Sequence, residues 1–251
     1  MDYKNNSNSL YDIENQNLID PLIPNKNKIY SNSNINKLLR LGFIKKVYGV
    51  LSMQLIITIL LSSIAFNKNV KEYLCNNAGY LWISVIFSFV VIIPLICCKS
   101  IARKVPVNYI LLIMFTIFES VLISYVIASV NDNQSVFISF ILTTVVVIGL
   151  TIYACKTNKD FTMLGGLLLV CSVLLILLGI LSIIFGGFLR TLYCVAGVFI
   201  FSVYLIYDTQ LIMGRYGSEF DSEDYIVASL SLYLDIIQLF LYILELISKN
   251  K

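Results

Sequence analysis

From position 47 onward the apolar residues come in runs of about 20, the length an α-helix needs to cross a hydrocarbon core about 30 Å thick. Charged or turn-forming residues bound each run. Seven such spans are predicted: Val47 to Phe66, Tyr80 to Cys98, Val107 to Val130, Val136 to Cys155, Phe161 to Phe185, Thr191 to Met213 and Tyr225 to Ile247. The first, second, fourth and fifth carry no charge. The third contains Glu119, the sixth Asp208, and the seventh Asp235 and Glu245. Short loops join the spans, so the pattern predicts an all-α membrane protein with a seven-helix transmembrane domain over residues 37–251.

The first 36 residues differ in kind. Ten are asparagine, and with Ser, Lys, Pro21 and Pro24 the segment cannot bury enough apolar surface to fold alone. It is expected to be a disordered cytoplasmic tail. No apolar stretch opens the chain, so the first span is expected to act as an uncleaved signal anchor. Ten basic residues flank the span ends on the side of the N-terminus and five flank the opposite ends, which predicts a cytoplasmic N-terminus.

Composition narrows the chemistry. Hydrophobic residues make up 58% and charged residues 13%, where a soluble domain carries about 25% charged residues. Mean hydropathy is +0.84. A net charge of +3, dispersed along the chain, gives no footing for nucleic acid. There is no histidine, which excludes histidine-bound zinc, Ser-His-Asp and Cys-His nucleophiles, and imidazole as a pH switch. Proton chemistry near neutral pH must then rest on carboxylates or thiols. The six cysteines lie mostly in spans or at their ends, and no disulfide framework is indicated.

An acid at mid-membrane costs about 2.5–3.5 kcal/mol to insert, which makes the intramembrane acids functional candidates. Asp208 lies five residues before the end of its span and Asp235 ten residues past the start of the next, depths of roughly 8 and 15 Å at about 1.5 Å per residue. The helices are antiparallel neighbours, so the two side chains are expected to meet. Along the seventh span Asp224, Ala228, Ser231, Asp235, Gln238, Tyr242 and Glu245 recur at spacings of four and three, forming one narrow polar stripe. Tyr204 and Arg215 share the face of Asp208, while Asn108 and Thr116 share that of Glu119. A seam of this kind belongs inside a bundle, which makes Glu119, Tyr204, Ser231, Gln238, Tyr242 and Glu245 pore-lining candidates. Glu219, Asp221, Glu223 and Asp224 precede the seventh span and suit a helix N-terminus.

Two carboxylates close together in a low-dielectric site titrate as a pair, which offers a pH sensor without histidine. Deprotonated, they form a hard oxygen site for a divalent cation such as calcium. Two side chains fall short of the six to eight oxygens of a tight site, so binding would be weak and transient.

The residues also carry a family resemblance. YDTQLIMG (Tyr207 to Gly214), a short acidic loop, then EDYIVASLSLYLDIIQLFLYIL (Glu223 to Leu244) resembles the C-terminal signature of the transmembrane Bax inhibitor motif family, Lifeguard branch. Gly42 to Thr58, Cys97 to Glu119 and Thr157 to Thr162 match in order upstream. The resemblance implies six helices surrounding a central seventh. It also implies a pH-sensitive calcium leak channel or carrier, in an endoplasmic reticulum or Golgi membrane, that suppresses cell death. By position Asp208 and Asp235 match the family's di-aspartyl sensor. A basic residue near the end of the second span is implied as its closed-state partner, here Lys99 or Arg103. Calcium is then cargo and no cofactor is expected. Expected partners are the calcium ion, the lipid bilayer and membrane proteins of cell-death control.

The alternative is a non-conducting membrane protein that regulates cell death by binding other proteins; a folded bundle that passes no ion yet protects cells would identify it. An enzyme is not expected. YDTQ and YLDI lack the glycine-flanked aspartates of an intramembrane aspartyl protease, and the seventh span has no lysine for a retinal Schiff base.

Overall fold

The computed structural model describes residues 26–249 apart from 78, 131, 215 and 217–219. The expectation of disorder over residues 1–25, and the placements of Arg215 and Glu219, lie outside the described residues. The chain divides by contact into two units, up to Gly42 and from Phe43 onward; the bundle described below is the second.

The described residues form nine α-helices and two single 3₁₀ turns. Helix α1 (Lys26–Ser62) begins inside the segment read as a tail and runs into a 3₁₀ turn ending at Phe66. The short α2 (Lys68–Asn76) follows, then α3 (Gly79–Cys97), the one-turn α4 (Lys99–Ala102), α5 (Val107–Ser129) and α6 (Asn133–Lys156). After a second 3₁₀ turn come α7 (Gly165–Phe185), α8 (Gly187–Met213) and α9 (Tyr225–Lys249). Among the described residues, seven helices are long and apolar enough to cross a membrane: α1, α3 and α5 to α9. They correspond to the seven spans read from sequence; the first begins ten residues earlier than expected, at Lys37, and the other ends shift by at most four residues.

Helix ends follow local chemistry. The Asn67 side chain accepts from the Asn69 N–H at the start of α2, and Asp132 accepts from the Gln134 N–H and from Ser135 Oγ at the start of α6. Gly214 closes α8 in the left-handed region at φ 64°, and its N–H donates back to the Gln210 and Leu211 carbonyls. The terminal glycine of YDTQLIMG is therefore a helix stop.

Large apolar side chains such as Ile183, Phe188 and Phe199 are more than two-thirds exposed, a surface stable only against hydrocarbon. Inside, polar side chains mostly satisfy themselves within their own helix. Thr116, Ser120, Ser124, Ser139 and Thr143 each donate to the carbonyl four residues back, so none brings an orphaned hydroxyl into the membrane. Helix α9 is the most buried span, at 67% of its central window against 17–44% for the others. No residue from Tyr225 to Ser248 is exposed. It packs against α5, α6 and α8, while α3 packs chiefly on α5 and α7 on α8.

Candidate functional site

The polar seam of α9 meets other elements at three levels. At its N-terminal end, the Asp224 carboxylate receives a forked pair of hydrogen bonds from Arg103, Nε to Oδ1 at 2.7 Å and Nη2 to Oδ2 at 2.8 Å. Arg103 Nη2 also reaches Asp221 Oδ2 at 2.7 Å, and the Asp221 N–H donates to Asp224 Oδ2. Asp224 is buried and Asp221 exposed, so the fork ties the segment after α4 to the first turn of α9. The guanidinium holds the Asp224 carboxyl below the usual carboxylate range, and the two aspartates raise Arg103 in return.

Between the two ends, Asp208 of α8 and Asp235 of α9 are neighbours, both buried. Asp235 Oδ2 is buried with no hydrogen-bond partner. A free acceptor there can receive a proton, a water or a cation. No group of three or more His, Cys, Asp or Glu side chains able to hold a metal occurs among the described residues, so a cation here would draw its remaining ligands from water and backbone.

At the far end, the Tyr242 hydroxyl donates to that of Tyr193 on α8 at 3.0 Å, and Arg190 pairs with Glu245. Tyr242 also packs directly on Gly197 of α8, where an added Cβ would lie 2.7 Å from the ring. Ser231 donates to its own helix at the Val227 carbonyl, and Gln238 is half-buried. Tyr204, expected beside Asp208, instead shares a hydrogen bond with Ser172 of α7. The stripe is thus a set of separately partnered contacts.

Arg103 is engaged by Asp221 and Asp224, and Lys99, exposed, acts on Asp224 at longer range. Neither is joined to the Asp208–Asp235 pair in this structure. The reason is distance along the bundle: both basic residues lie in the loop region beyond α3, level with the start of α9, whereas Asp235 is ten residues further into that helix.

Two further polar groupings escaped the sequence reading. Thr58 of α1 shares a 2.8 Å hydrogen bond with the Tyr233 hydroxyl, the Ser120 hydroxyl of α5 lies 3.4 Å from that of Thr58, and Gln54 donates to Thr116. Glu119 is buried on α5, as are Thr116 and Ser120. Tyr233 lies about 200° around α9 from Asp235, at about 100° per residue, so the helix carries polar contacts on two faces. The i, i+4 recurrence of Gln54, Thr58 and Ser62 in the first span was the available signal. The second grouping centres on Gln210, whose side chain accepts from the Phe161 N–H at 2.8 Å and donates to the Lys159 carbonyl at 2.9 Å. This buried glutamine clamps the loop before α7 onto α8, two residues from Asp208.

A family model described as "Inhibitor of apoptosis-promoting Bax1" matches residues 40–251. The protein lifeguard 3 of Mus musculus is 35% identical over 217 residues, covering 84% of this chain and 70% of the relative. That of Homo sapiens is 36% identical over 210 residues, covering 81% and 67%. A BI1-like protein of Arabidopsis thaliana is 37% identical over 218 residues, covering 84% and 82%.

Proposed function

The chain belongs to the family of inhibitors of apoptosis-promoting Bax1, and from that premise we propose that it is a pH-sensitive calcium leak channel or carrier of an intracellular membrane, acting in the control of cell death. The observation that supports this reading is the buried Asp208–Asp235 pair on adjacent spanning helices, with one carboxylate oxygen unpartnered.

A shared proton holds α8 and α9 together at that level. Its loss leaves two negative charges facing each other in low dielectric, which drives the helices apart or draws in a cation. Two carboxylates completed by water bind calcium loosely enough to release it, as conduction requires. Endoplasmic reticulum or Golgi membranes and a cytoplasmic N-terminus complete the proposal.

Purified protein in liposomes loaded with a calcium-sensitive dye tests it. Wild type should pass calcium at a rate that changes between acidic and neutral pH, and Asp235→Asn should abolish that pH dependence. Equal flux through both proteins at both pH values would overturn the mechanism.

A further inference from the structure

Between α1 and α6, with α9 and α5 as its floor, lies an apolar groove of about 470 Å³. Leu55 and Phe66 mark its extent on α1 and the turn that follows, Phe137 and Ile148 its extent on α6, and Ile237 and Phe240 rise from α9. Its rim is open: Ile59, Phe137, Phe140 and Ile148 are all about half exposed. In a spanning helix that exposure is to hydrocarbon, so the fluid that reaches the groove is the bilayer itself.

Its dimensions select the occupant. From Phe137 to Ile148 the groove follows α6 for about 16 Å at about 1.5 Å per residue, the thickness of one leaflet's hydrocarbon in a core of about 30 Å. Phe66 and Phe137 stack at one end, beside the loops leading into α2 and α6, and the lining runs from there to Leu55 and Ile148, in the middle of their helices. A molecule filling it therefore lies along the bundle with one end at the membrane surface. Exposed Lys68 stands two residues past Phe66 at that surface, a cation placed for a phosphate.

We propose that this groove binds one acyl chain of a phospholipid from the leaflet on the α2 side, with its headgroup phosphate beside Lys68. The volume falls within the range of pockets that enclose a small organic ligand. The chain would rest on Ile236 and Ile237, the two residues after Asp235, and so would brace the face of α9 that the α8 contact leaves free. The assignment stands on the groove's shape and does not depend on calcium conduction.

The test is photo-crosslinking of the full chain in vesicles that contain phosphatidylcholine with a diazirine at mid-acyl chain, followed by peptide mapping. Labelling of residues 55–66 and 137–148 should exceed that of the open lipid-facing side of α7 at least about tenfold, the ratio produced by about 1.4 kcal/mol of preference. Thr144→Trp, which fills the groove from α6, should bring groove labelling down to the α7 level and leave α7 unchanged. Native mass spectrometry of wild type should show a single phospholipid binding saturably, a readout that does not depend on the variant folding. Equal labelling of groove and α7 in wild type, or a graded series of adducts without saturation, would overturn the proposal. So would preferential capture of a diazirine sterol, which would give the groove to a different ligand.

Discussion

Replacing Gln210 with alanine removes two hydrogen bonds at once and leaves the Phe161 N–H and the Lys159 carbonyl unpaired in a partly buried loop. Each group left unsatisfied costs about 1–3 kcal/mol, so Gln210→Ala should lower the melting temperature in detergent clearly, and Gln210→Glu should also lower it, because it keeps the acceptor but turns the donor to Lys159 into a second acceptor. The Asp224 carboxyl behaves differently because its effect is pH-dependent. Arg103 depresses it in the folded protein, so its stabilising contribution is present above the ordinary aspartate range near about pH 3.9 and is lost as pH falls through the lower folded value. Wild type should therefore melt above Asp224→Asn at pH 7, and the gap should close on acidification, as thermal unfolding across pH will show. Glu245 offers a contrast: its pairing with Arg190 is open to solvent, with side chains 30% and 57% exposed, so Glu245→Gln should cost less than about 1 kcal/mol. That Asp208 and Asp235 lie on sequential spanning helices was legible in sequence because helical phase follows from counting residues. The partner of Arg103 was not, since a loop's path decides which acid a long side chain reaches. Gln210 was hidden for the same reason: its partners are backbone atoms of a distant loop, which no side-chain pattern reports.

At the scale of elements, all seven spans could be read directly, because uninterrupted apolarity is a physical requirement of crossing hydrocarbon. The polar stripe of α9 was legible too, but its completeness was overread. Periodicity shows which residues share a face, whereas the neighbouring helix decides whether that face is continuous. Here α8 answers the stripe with Asp208, Gly197, Tyr193 and Arg190 in turn. Tyr233 was missed because an aromatic in an apolar helix looks the same as any core residue until its hydroxyl finds Thr58. The tightest point between α8 and α9 is Gly197, where the Tyr242 ring occupies the space of a side chain. Gly197→Val should push that ring away and break its hydrogen bond to Tyr193, costing about 1–3 kcal/mol as overpacking does. Tyr242→Ala in the same background should recover part of the loss, and a double-mutant cycle on melting temperatures measures the coupling.

On the scale of the whole molecule, two kinds of surface are segregated with little overlap. Most spans turn large apolar side chains outward, and buried hydroxyls, amides and acids gather around α9. That division makes the bilayer part of the folding equilibrium, so stability should depend on acyl-chain length. Melting temperature measured across lipids of increasing chain length should pass through a maximum where hydrocarbon thickness matches the apolar length of the spans, instead of changing steadily. The burial of α9 also bears on how the chain is assembled. The helix with the least lipid-facing surface follows the other six in the polypeptide, so it leaves the ribosome after its neighbours have entered the bilayer. Until it arrives, Thr58 has no Tyr233 hydroxyl to meet, and Tyr193 no Tyr242. The contacts that join α9 to α1 and α8 therefore form last, as a late step of assembly that follows the entry of the other spans.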